Sequence, residues 1–115
     1  TLLEIPGGCV DPEDVSLSEA VAREMKEETG YIFDSIEYLG KTSANPSTHN
    51  NWMHFFLAKG GEKISEQQLD GNEEIEINLL SIDEVKLLLR KNQILQSMHA
   101  TALFYGLARL GHIEI

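Results

Sequence analysis

Apolar and polar positions along the chain change period several times, and each change marks a predicted element. Leu2, Leu3 and Ile5 form a short apolar run stopped by Pro6-Gly7-Gly8, so residues 1–5 are expected to be a buried strand. A strand at the very first residue carries the expectation that earlier strands of the domain lie upstream of Thr1. Asp11 to Val15 is a polar loop containing Pro12. From Leu17 the apolar spacing turns helical, with Ala20 and Val21 on the same stripe. Ser16 and Glu19 stand as a capping box at its start, and Gly30 supplies the left-handed position past Thr29.

Two strands follow, Ser35 to Ala44 and Trp52 to Ala58, separated by the turn Asn45-Pro46-Ser47 and closed by Lys59-Gly60-Gly61. Ile75, Ile77 and Leu79 alternate with polar residues, the period of a half-buried strand. A second capping box, Ser81 with Glu84, opens a helix that turns Val85, Leu88 and Leu89 inward and ends on Arg90 and Lys91. A last helix runs from about Gln96 to Leu110 and stops at Gly111. The order of strand, helix, strands and helices is a mixed α/β layer pattern.

The length of 115 residues fits one domain, 1–115. With 9 basic against 19 acidic residues the net charge is −10, which argues against duplex nucleic acid or an anionic membrane as partner. Small phosphorylated ligands stay open, because a divalent cation inverts the local sign. Cys9 is the only cysteine, so no internal disulfide forms. With no apolar run long enough for a membrane span or signal segment, a cytoplasmic protein is expected.

Candidate chemistry concentrates on the first helix, over Arg23-Glu24-Met25-Lys26-Glu27-Glu28. At about 100° per residue, Glu24 and Glu28 continue the Leu17–Ala20–Val21 stripe and Glu27 flanks it. Glu19, Arg23 and Lys26 take the solvent side. Three acids at i, i+3 and i+4 crowd one place; like charges about 4 Å apart repel by roughly 4 kcal/mol at an effective dielectric near 20. A hard divalent cation offsets this, Mg²⁺ or in its place Mn²⁺. The competing reading is a solvated acidic face, which the helix dipole disfavours so close to the C-terminus.

These residues resemble a known signature. Gly8, then Arg23-Glu24-Met25-Lys26-Glu27-Glu28-Thr29-Gly30-Tyr31, is similar to the Nudix box, Gx5Ex7REUxEExGU with U a bulky apolar residue. Ile5-Pro6-Gly7-Gly8 also resembles the family's entry to the box. One feature departs: the loop is a residue longer than the pattern, and Asp14 stands for the box's first glutamate.

The resemblance implies a Nudix-type α/β/α sandwich with a mixed sheet, and hydrolysis of a nucleoside diphosphate linked to another group. It implies that Glu24 and Glu28 ligate metal, with Glu27 a further ligand or organiser. Glu27 and Glu28 are thereby placed in the catalytic set. The Gly7 carbonyl is implied as another donor. Gly8, Asp14, Arg23 and Gly30 would support the box, Arg23 by pairing with one of its carboxylates.

Pro46, fifteen residues after Tyr31, resembles the marker of the ADP-ribose pyrophosphatase group, as does the acidic Glu73-Glu74-Ile75-Glu76-Ile77 segment. The implied substrate is ADP-ribose or another nucleotide sugar, with Glu73 or Glu74 as general base and Glu76 turned to solvent. A homodimer is implied by the same resemblance. Pro46, His49 and Trp52 are candidates for substrate contact, although Trp52, Phe55 and Phe56 also suit core packing in a strand. His54 has a strand-side role, and Cys9, beside Asp11, has no basic partner in sequence. Two other functions compete: a Nudix hydrolase of nucleoside triphosphates or dinucleoside polyphosphates, and a nucleotide-binding module without turnover.

Overall fold

The computed structural model of the chain describes residues 5–6, 16–43, 52–69, 71 and 74–114. The elements run α1 (Leu17–Thr29), β1 (Tyr31–Ile32), β2 (Ser35–Ser43), β3 (Trp52–Lys59), β4 (Glu62–Lys63), α2 (Ile82–Arg90) and α3 (Ser97–Arg109). β1 pairs antiparallel with β4, Tyr31 opposite Lys63, and β2 pairs with β3. The pattern is α/β. The predicted strand at residues 1–5 and the loop at 11–15 lie outside the described residues, apart from Ile5.

The chain divides into two compact units, one of residues 1–5, 38–56 and 79–115, the other of residues 6–37 and 57–78. In the first, Phe55, Ala102 and Leu107 are buried. The Phe55 and Tyr105 rings lie 5.9 Å apart, tilted by 35°. His99 on α3 accepts the Ile5 N–H through Nδ1 at 2.9 Å. Ser81 and Glu84 form the full reciprocal box that opens α2. Val85, Leu88 and Leu89 are half-buried beneath it, as the spacing predicts.

The second unit is built on α1. Ser16 accepts the Glu19 N–H at 3.2 Å, and Gly30 ends the helix with a φ of 78°. Ala20 and Thr29 are buried. Thr29 Oγ1 donates to the Met25 carbonyl at 2.5 Å and accepts the Tyr31 N–H at 3.2 Å, so one hydroxyl joins the last turn to β1.

Two sequence expectations change. Residues 74–81 form no strand among the described residues; Ile75 is 38 % and Leu79 76 % exposed. Leu17, the start of the predicted inward stripe, is also exposed.

Candidate active site

The acidic face of α1 is organised around one guanidinium. Arg23 Nη1 donates to Glu24 Oε1 at 2.9 Å and reaches Glu27 Oε2 at 3.3 Å. The Arg23 side chain is 24 % exposed and that of Glu24 19 %. The wheel alone puts Arg23 toward solvent; the structure draws it back among the acids, because two carboxylates one turn apart attract a cation that can bridge them. Glu27 is more open, at 40 %, and Glu28, directly after it, is half-buried.

A strap formed by residues 64–68 finishes the C-terminal end of α1. A helix end leaves its last carbonyls without intrahelical donors. Here the Gln68 N–H takes the Glu27 carbonyl at 2.7 Å and the Gln67 side-chain amide takes that of Glu28 at 2.8 Å. The Ile64 and Ser65 N–H groups both reach the Gly30 carbonyl, at 2.9 and 3.3 Å. These donors also offset the unfavourable dipole for acids in the last turn. Nothing in the local sequence around Gln67 or Ser65 marks them, since their partners on and just after α1 lie more than thirty positions away.

Glu74 is exposed, and so is Glu76. Gly7, Gly8, Asp14, Pro46, His49 and Glu73 lie outside the described residues. Trp52 belongs to the first unit, where it is 51 % exposed with Lys41 Nζ 4.4 Å above its ring. It is therefore not the core residue that strand aromatics suggest, whereas Phe55 on the same strand is buried. His54 Nδ1 pairs with the Tyr38 hydroxyl at 3.0 Å, and the Tyr38 ring meets Phe56 edge-on.

The donor set on α1 is all carboxylate oxygen, which suits a hard cation. Among the described residues, no three His, Cys, Asp or Glu side chains are gathered closely enough to hold one. The described part of the site is thus an arginine-bridged acid pair, Glu24 and Glu27, with a third acid, Glu28, directly after Glu27.

An α/β protein with such an acidic helix falls into a recognisable class. The NUDIX domain model matches residues 1–101, and the chain belongs to that family. Similar relatives include the "Methanol dehydrogenase activator" of Bacillus methanolicus, 28 % identical over 91 % of this chain and 57 % of the relative. The "ADP-ribose pyrophosphatase" of Bacillus subtilis is 26 % identical over the same shares. The "GDP-mannose pyrophosphatase" of Pectobacterium atrosepticum is 32 % identical over 70 % of this chain and 41 % of its own. A solved structure described as an ADP compounds hydrolase superposes with a TM-score of 0.75 at 26 % identity, covering 97 % of this chain and 61 % of the other. The chain spans about half the length of the curated relatives it matches. Among the described residues no helix is long and apolar enough to cross a membrane.

Proposed function

We propose that this chain carries the catalytic residues of a hydrolase that cleaves the pyrophosphate link of ADP-ribose or a related nucleotide sugar. The observation that carries the reading is the α1 acid face, with Glu24 and Glu27 bridged by Arg23 and Glu28 directly after Glu27, within a NUDIX match. The relatives named for ADP-ribose and GDP-mannose support the substrate class.

Glu24, Glu27 and Glu28, whose carboxylates are not gathered in this structure, would have to turn together to hold Mg²⁺, or Mn²⁺ in its place, with the Gly7 carbonyl as a further oxygen. When bound, such a cation neutralises charge on the non-bridging phosphate oxygens and lowers the pKa of water. Arg23 holds two of the acids in place before a cation arrives. Gly8, Asp14 and Gly30 would support the box. Glu73 or Glu74 accepts the proton of the attacking water as its oxygen bonds to phosphorus. The bond to the bridging oxygen breaks, and ADP-ribose gives AMP and ribose 5-phosphate. Pro46, His49 and Trp52 are proposed substrate contacts. A cytoplasmic homodimer belongs to the same reading.

A second reading has one observation in its favour, the relative named as an activator of another enzyme. In it the fold binds a nucleotide without turning it over. The full chain with Mg²⁺ and a panel of ADP-ribose, GDP-mannose and nucleoside triphosphates separates the two. Hydrolysis of a nucleotide sugar, lowered more than about a hundredfold in Glu28→Gln, is expected from losing one charge-stabilising group. Binding with no turnover of any panel member favours the second reading.

A further inference from the structure

We propose that Gln67 is a positioning residue, whose side-chain amide ties the segment bearing Glu74 to the end of α1 bearing Glu27 and Glu28. The inference rests on the reading of Glu74 as the base. A side-chain amide nitrogen carries two hydrogens to donate. Gln67 Nε2 lies 2.8 Å from the Glu28 carbonyl and 3.1 Å from the Ile75 carbonyl. Both hydrogens thus have an acceptor, one on the metal-binding helix and one beside Glu74.

The surroundings give the amide its place. The Gly30 carbonyl holds residues 64 and 65, and the Glu27 carbonyl holds the Gln68 N–H. The main chain is therefore anchored on both sides of Gln67. On the far side, residues 74–81 have no strand ladder among the described residues, and the amide supplies a donor to the Ile75 carbonyl in its stead. Glu74 itself is exposed, so its carboxylate meets water while the carbonyl of the next residue, Ile75, is tethered. That is what a base acting on water requires.

The test is a double-mutant cycle on the full chain, using whichever panel nucleotide is cleaved. Gln67→Ala is expected to lower kcat by about ten- to a hundredfold, the scale of a misplacement near 1 Å. KM is expected to stay within about twofold, because the positioned group acts in the transition state. In a Glu74→Gln background the same change is expected to add less than about twofold, since the group it positions is gone. Gln67→Met keeps the length without the donor and serves if the alanine variant fails to fold. Hydrogen exchange at the amides of residues 74–78, faster without Gln67, reads the tether independently of turnover. The proposal is overturned by an unchanged kcat, by unchanged exchange, by an undiminished Glu74→Gln enzyme, or by equal losses in both backgrounds. A chain that cleaves nucleotides with or without Gln67 loses only the tether; one that cleaves none loses the proposed function as well.

Discussion

Gly30 ends α1 with a φ of 78°, and a Cβ on it would run into the Ser65 carbonyl oxygen. Two separate causes therefore hold this position to glycine: the left-handed backbone and the closeness of the strap. Gly30→Ala is expected to lower stability by at least about 1–2 kcal/mol, the cost of the left-handed conformation alone. Urea unfolding measures it; a loss confined to that range would mean the strap moves aside without penalty, and a loss below about half of it would mean the left-handed backbone carries no such cost there. Arg23 shows a different economy. Its single positive charge is shared between Glu24 and Glu27, which lowers their mutual repulsion and leaves the pair one negative charge to offer a cation.

The helices α1 and α2 begin on a local signal, Ser16 and Ser81, whereas Gln96 makes no side-chain cap for α3. Ser81 donates its backbone N–H to the Glu84 carboxylate and its hydroxyl accepts the Glu84 N–H. First the backbone bond and then the side-chain bond with Ser81 hold the Glu84 carboxyl below its ordinary value of 4.5. A carboxyl lowered on folding stabilises above its unfolded value, and that stabilisation is lost as pH falls through the lowered one. Thermal melts of wild type and Glu84→Gln are thus expected to differ above about pH 4.5 and to converge in more acid solution. Equal melting temperatures across the whole range would show that the box adds nothing. The caps explain why the helices were legible: Ser16, Gly30, Ser81 and Gly111 act within a turn of themselves. The strands β2 and β3 were legible from their apolar runs. The alternation at Ile75, Ile77 and Leu79 misled, because alternation describes a face and not a partner, and the Ile75 carbonyl is met by the Gln67 side chain. The two-residue β1–β4 pair is too short for any period to show. In the site, Glu24, Glu27 and Glu28 were legible as a run on one helix, and the pairing of Arg23 with a carboxylate of the box was expected from the resemblance, while the strap depends on tertiary neighbours.

The whole chain carries a net charge of −10, and its proposed substrate is an anion. Long-range repulsion slows their encounter and is screened as the Debye length falls from about 30 Å at 0.01 M to about 8 Å at 0.15 M. At fixed saturating Mg²⁺, kcat/KM for a nucleotide sugar is expected to rise with NaCl over that range, by up to roughly tenfold. Stopped-time assays across a salt series measure it; a steady fall would mean that local cationic groups, and not the net charge, govern capture. The strap has a further consequence for how the chain is made. Gln67 lies 39 positions after Glu28. At roughly 5–20 residues per second, synthesis produces the last turn of α1 roughly 2–8 s before the amide that completes it. Through that interval the Glu27 and Glu28 carbonyls lack the donors that the strap brings, while the residues of β2 and β3 are made. The helix with the acids is therefore begun early on the ribosome and finished late.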